Sequence, residues 1–380
     1  MKNRPTATLW EPNKVTGLLP SEVPTTPIEL TSSKFASLRI IGELAPKLGS
    51  MSAQELEKIV ATLPDDANPK VMSAPGCEAV IRGYANLAAH LIHRPHFSHL
   101  QSLPATVARP LWYFSKHVKR PPTLTYASYT LANFTSPVRQ RTLPTELHIA
   151  QTPSGTVDEE WFVAVHLSAE SASGEVVEAL SAIDRAIKEH DHTTLIYAIE
   201  TIESCAAFAT EVMPMVREYL RPDVFLNKIR PYLYGYDNIC FHGVHGNPLV
   251  SYIGETGAQS GMIRAIDSAL GVHHSESISA SMDRFLLCAP QTHQDFFKYA
   301  LELGQQLDQV KYPAVQNARR SALQALSEFR STHYEIVKYY LSYTEKIKVE
   351  TGTGGTRFGI WLQQMIDETD ATMHKIGKLY

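Results

Sequence analysis

Leu326-Ser-Glu-Phe-Arg330-Ser-Thr-His333-Tyr-Glu-Ile-Val-Lys-Tyr-Tyr340 is the stretch that decides how this chain is read. Leu326, Phe329, His333, Ile336, Val337 and Tyr340 recur at steps of three and four, so a helix lays them in one apolar stripe. That stripe carries an imidazole inward. A histidine on an apolar face is most often a core residue satisfied by one hydrogen bond, and spacing alone favours that reading. The sharper alternative is axial ligation of haem iron, which wants a neutral imidazole in an apolar pocket. Arg330 lies one turn earlier, where it could meet a haem propionate.

Working outward, the pattern predicts a helix over 314–346 and others over 158–188, 193–220, 258–271, 276–288, 292–308 and 356–376. The first two of these break near Glu189-His-Asp-His-Thr193. Pro222 opens a further helix with Phe225, Ile229 and Leu233 at helical spacing, and residues 237–257 read as loop. Proline is lopsided: 16 of 23 lie in residues 1–150. Because proline breaks helix interiors, that region should hold short elements and the remainder long helices. Residues 1–32 read as an extended surface arm. Ser52-Ala-Gln-Glu55 is a capping box opening a helix to about Thr62. Helices are also expected over 77–93 and 104–117, and in the apolar segment 126–134. Strand alternation is nearly absent. The expected class is all-α: a smaller, irregular, mostly helical N-terminal domain over 1–150 and a large helical domain over 151–380.

Composition bounds the function. With 380 residues, 44% of them hydrophobic, the chain can bury a large core. A net charge of −4 lacks the basic footprint of a nucleic-acid binder. No apolar run reaches the roughly 20 residues of a membrane span. The start, Met-Lys-Asn-Arg-Pro-Thr-Ala-Thr, has no apolar leader core, so the cytoplasm is expected. Cys77, Cys205, Cys240 and Cys288 form no CxxC pair, which argues against a zinc ribbon and a disulfide scaffold.

Other candidates carry weaker signals. His90, His93, His96 and His99 recur by threes, but Pro95 interrupts the helix; they read as a surface helix end with its loop rather than a metal site. His242-Gly-Val-His245 lacks a recognisable second half. His166 follows Phe162 by one turn among apolar neighbours: a core histidine, or a polar group beside a substrate pocket. Arg230 stands at the edge of an apolar face, as a salt-bridge partner or as a clamp for a ligand carboxylate. Thr351-Gly-Thr-Gly-Gly-Thr356 reads as an interhelical loop or as a mobile flap over a ligand.

Taken in order, Arg330-Ser-Thr-His333-Tyr-Glu-Ile-Val and Gly352-Thr-Gly-Gly-Thr356 resemble the indoleamine 2,3-dioxygenases, haem enzymes related to tryptophan 2,3-dioxygenase. Tyr126-Ala-Ser-Tyr129, Phe162, Phe225, Arg230, Gly254-Glu-Thr-Gly-Ala-Gln-Ser260 and Asp267-Ser-Ala-Leu-Gly271 match further family segments in the same order. The resemblance covers about 104–360. It implies haem b bound through His333, with Arg330 and Asp267 beside it. It implies a substrate pocket of Tyr126, Tyr129, Phe162, Phe225, Leu226 and Thr256. Arg230 would hold the substrate carboxylate and Thr353 its ammonium end. The implied reaction opens the indole 2,3-bond of L-tryptophan or a related indoleamine to N-formylkynurenine. It uses dioxygen and an electron donor that keeps the iron ferrous, with no nucleic-acid or membrane partner. Three positions depart from the family. His166 stands where the animal enzymes have serine and resembles the distal histidine of tryptophan 2,3-dioxygenases. Leu226 replaces an aromatic residue, and Thr256 replaces a serine. These departures keep two alternatives open: a haem protein that mono-oxygenates or rearranges a tryptophan derivative, and a non-catalytic haem- or indole-binding protein.

Overall fold

The computed structural model describes residues 9–94, 101–342 and 350–377. It is mostly helical, as the all-α reading expects. The helix Pro313–Leu341 runs through the large core, packed along His192–Val212 on one side and Phe358–Gly377 on the other. Leu323, Leu326 and Ile336 of its apolar stripe are buried. Val157–Glu170 and Ser173–Glu189 complete the layer around His192–Val212, and Gly261–Ala269 packs against Gln291–Leu307. No helix among the described residues is long and apolar enough to cross a membrane.

The expected helix over 158–188 is two helices. Val157–Glu170 ends where the Ser171 N–H bonds the carbonyls of Leu167 and Ser168, and Ser173–Glu189 begins just beyond. The N-terminal arm crosses at this break. Gly17, at φ +64°, lies so close that a Cβ on it would sit 2.1 Å from Ser173 Oγ, and the Leu18 N–H donates to that oxygen at 3.0 Å. The arm is therefore not a mere surface strap, despite its polar composition. Leu9, Trp10, Leu18 and Leu19 are buried, and Trp10 Nε1 donates to Glu78 at 2.9 Å. Arg120 completes this buried cluster with a hydrogen-bonded ion pair to Glu78.

The capping box at Ser52 forms as expected and starts Ala53–Thr62. Ala74–His93 is a central helix, buried on nearly every side, because alanine and glycine let neighbours approach all round. This corrects the surface reading of its histidines. His90 is buried, shares a 2.8 Å hydrogen bond with the Pro153 carbonyl and accepts one from Arg94 at 2.7 Å. His93 bonds the Tyr234 carbonyl at 2.9 Å. His96 and His99 lie outside the described residues.

Residues 237–257, expected to be loop, include most of a three-stranded sheet. β1 (Ser102–Leu103) runs parallel to β2 (Tyr236–Phe241), which pairs antiparallel with β3 (Leu249–Tyr252). A register shift between Tyr236 and Ile239, with Asn238 at φ +51°, spoils the alternation that would have marked β2.

Candidate active site

A cavity of about 220 Å³ opens between Pro313–Leu341, Val157–Glu170 and the loop at 254–260. The long helix contributes Phe329, Arg330, His333, Ile336, Val337 and Tyr340. Facing them are Phe162, His166, Phe225, Arg230 and Tyr126, and Thr256, Gly352 and Thr353 are also part of the lining. Positions more than two hundred residues apart in sequence thus share one largely apolar chamber.

His333 enters this chamber with no hydrogen-bond partner among the described residues. Its ring stacks parallel on Phe329, one turn earlier, at 6.1 Å between centroids and 2° between planes. Burial, and then the nearby His166, push its pKa down to about 4, so the imidazole is neutral at pH 7. A core histidine would have found a carbonyl or hydroxyl to bond. A neutral ring with a free nitrogen is instead what an axial haem ligand requires. Nε2 faces Gly257, where a Cβ would lie only 3.9 Å away, so the absent side chain leaves room before that nitrogen. On the same wall, Arg264 has a buried Nε with no partner among the described residues, while its guanidinium reaches exposed Asp283 at 3.6 Å and lies over the Phe297 ring at 6.0 Å. A guanidinium with an unpaired Nε in the same chamber as a neutral imidazole fits a metal tetrapyrrole bearing carboxylates.

His166 shows the opposite arrangement. Its Nδ1 lies 2.8 Å from the Phe162 carbonyl. A carbonyl only accepts, so Nδ1 carries the proton and Nε2 keeps a lone pair. Burial lowers the pKa and keeps this ring neutral too. The ring sits 4.3 Å from that of Phe162 and 6.4 Å from that of Tyr126. Phe162 continues to Phe225 at 5.5 Å, and Phe225 to Tyr340 at 5.5 Å. One acceptor among aromatic faces suits a flat aromatic ligand with one N–H.

Arg230 reaches the chamber by a local distortion. Phe225–Ile229 is a π-helical turn, in which the Arg230 N–H bonds the Phe225 carbonyl. The five-residue step puts Phe225 and Arg230 on one face. Ordinary helical spacing would have paired Arg230 with Leu226, and Leu226 is not on the cavity wall. A second π turn, Ala127–Leu131, follows Tyr126. Tyr129 stands behind the wall: its ring backs Phe162 at 6.4 Å and its hydroxyl donates to Glu159 at 2.8 Å. Arg230 donates to the Tyr234 hydroxyl and, at 2.7 Å, to the Thr351 carbonyl. Those bonds tie it to the glycine loop, where Gly354 packs so tightly that a Cβ would lie 2.9 Å from Thr256 Cγ2. Sequence reasoning passes over three charged wall residues, Glu170, Glu255 and Arg264. All three lie in segments that spacing marks as loop or ordinary helix.

Residues 13–372 match the family described as indoleamine 2,3-dioxygenase. The chain belongs to the indoleamine 2,3-dioxygenase family. The family is one of haem dioxygenases. Indoleamine 2,3-dioxygenase of Saccharomyces cerevisiae is 28% identical over 336 residues, spanning 71% of this chain and 72% of the yeast protein. Indoleamine 2,3-dioxygenase 2 of Mus musculus is 26% identical over 294 residues, 70% of this chain and 72% of that one. A protein named myoglobin from the abalone Haliotis madaka is 24% identical over 288 residues, 71% of this chain and 74% of that one.

In this family member the wall that carries Arg330 rests on a buried ionic chain. Arg330 donates to Asp267 and to Thr369, and at 3.2 Å to the Met365 carbonyl. His274 lies between two carboxylates, 2.8 Å from Asp267 and 2.6 Å from Glu368. Burial alone would raise the Asp267 pKa, but Arg330 and His274 outweigh it and hold it at about 2. A carboxyl depressed from 3.8 in this way stabilises the fold above its unfolded pKa and loses that contribution as pH falls through its folded one. The apoprotein's advantage over Asp267→Asn should thus be full above about pH 4 and shrink by roughly 2 kcal/mol by about pH 2. Denaturant unfolding of both proteins across that range checks it; a constant difference would contradict the assignment.

Proposed function

We propose that this chain opens the 2,3-bond of an indole, L-tryptophan or a close relative, with both atoms of dioxygen entering an N-formylkynurenine-type product. The observation that carries the proposal is the pair of neutral imidazoles in one apolar chamber. His333 has no hydrogen bond among the described residues and a free nitrogen; His166 presents a lone pair.

Haem b, held by His333 with Arg330 and Arg264 toward its propionates, would supply the activation of dioxygen. The chain's own residues do the rest. Phe162, Tyr126 and Phe225 stack the indole and exclude water, and Thr256 borders its plane. His166 Nε2 accepts the indole N–H. Arg230 takes the carboxylate, and the Thr353 hydroxyl oxygen with the glycine-loop carbonyls accepts from the ammonium end. Tyr129 acts from behind the wall by fixing Phe162. Asp267 anchors Arg330. Positioning and desolvation of this kind lower the barrier without a general base. On this reading residues 1–150 cap the pocket through Tyr126 and residues 151–380 grip the cofactor. The four cysteines are free thiols, which suits a reducing cytoplasm able to keep iron ferrous.

The His166 role has a direct test. A methyl on the indole nitrogen removes the donor and leaves a buried acceptor unpaired. The native protein should therefore bind 1-methyltryptophan about 10–100-fold more weakly than L-tryptophan. His166→Ser should narrow that gap. Ligand titration followed in the haem spectrum measures both; equal binding by the native protein would remove the role.

A second reading, haem binding without dioxygenation, draws support from the abalone relative and from the departures at His166 and Leu226. Substrate-induced spectral shifts with tryptophan recovered intact would favour it.

A further inference from the structure

Of the carboxylates on the cavity wall, Glu255 alone has no hydrogen-bond partner among the described residues. Glu170 accepts from the Ser260 hydroxyl and from the Met262 N–H at 3.1 Å. Asp267 is bound by Arg330 and His274. Glu255 is 3% exposed, yet lines the chamber a ligand would fill.

The loop cannot easily turn this side chain away. Gly254 lies so close to Leu233 and Gly235 that a Cβ there would sit 2.1 Å from the Leu233 carbonyl oxygen. Gln259 staples the loop, donating to the Gly254 carbonyl at 2.9 Å and accepting from the Tyr126 N–H at 2.9 Å. Nor can nearby groups satisfy Glu255. The phenols that sense its charge, Tyr126 and Tyr129, already donate to Glu170 and Glu159. Glu159, the charge that acts on it, is another buried carboxylate. Through Gln259 the loop is pinned to Tyr126, which the reading above places against the indole, so Glu255 sits on the aryl side of the chamber. Burial, and then Glu159, push its pKa up to about 8, so it is protonated at pH 7 and can both donate and accept.

A buried, unpaired carboxyl on the wall of a binding cavity is costly unless a ligand completes it. We propose that Glu255 is the specificity residue for the aryl end of the substrate: it pairs with a hydroxyl or amino group on the benzo ring, so ring-hydroxylated or ring-aminated tryptophans are preferred over tryptophan. The proposal rests on the indole-cleaving reading above, in which Arg230 holds the opposite end.

Calorimetric titration of the haem-loaded protein with L-tryptophan and with each ring-hydroxylated tryptophan tests it without relying on turnover. At least one hydroxylated isomer should bind about tenfold or more tightly than L-tryptophan. Glu255→Leu should abolish that preference. If L-tryptophan binds and no hydroxylated isomer is preferred, the inference falls and the indole reading stands. A preference that survives in Glu255→Leu overturns it equally. If no indole binds, the indole reading fails and takes the inference with it. The native comparison needs no variant, so it decides the matter even should Glu255→Leu fold poorly.

Discussion

His333→Ala is expected to leave the purified protein unable to retain haem. Losing a partner of a metal ligand typically costs 10–100-fold in affinity, and losing the axial ligand itself should cost more than about 100-fold. The fold should suffer little, because His333 makes no hydrogen bond among the described residues and gives up its stacking on Phe329. A half-buried truncation of this kind should lower apoprotein stability by only about 1–2 kcal/mol. Haem titration followed by Soret absorbance, alongside denaturant unfolding of the apoprotein, separates the two effects. Undiminished Soret intensity in the variant would mean that another residue binds the iron.

Arg230→Met should lower kcat/KM for L-tryptophan by about 100–1000-fold, the equivalent of 3–4 kcal/mol for a buried charge-assisted pair. Arg230 is 4% exposed, and its bonds to Tyr234 and Thr351 leave further N–H groups for a carboxylate. Tryptamine lacks that carboxylate and provides the control. Its binding to the native protein should be weak and should change little in the variant. An equal loss for both ligands would instead assign Arg230 to holding the glycine loop in place. Lysine should not rescue, since a point charge cannot reproduce the planar fork.

Much of this architecture is legible in the amino-acid sequence, for identifiable reasons. The stripe from Leu326 to Tyr340 obeys a single helical period, so spacing alone places His333 on the buried face. The helix ends are nearly as clear where chemistry marks them, as at Ser52 and Glu55. Periodicity fails where the backbone abandons its regular step. The π turn at Phe225–Ile229 moves Arg230 onto the face of Phe225 and takes Leu226 off it. The shift within β2 hides a strand, and the crossing of the arm at Gly17 cuts one expected helix into two. His90 reads as a surface residue because the proline downstream suggests a solvated helix end, whereas the small residues of Ala74–His93 allow burial on every side. Glu255 carries no local signal at all. A glutamate in a glycine-containing loop looks solvated until packing closes round it.

The central claim is that the chamber converts an indole, not merely that it binds haem. The haem-loaded protein, reduced and supplied with dioxygen, should be incubated with L-tryptophan and with ring-hydroxylated tryptophans, and the products resolved by mass spectrometry. The account predicts N-formylkynurenine-type products carrying two added oxygen atoms, both drawn from isotopically labelled dioxygen. Full haem occupancy with every indole recovered intact would contradict it.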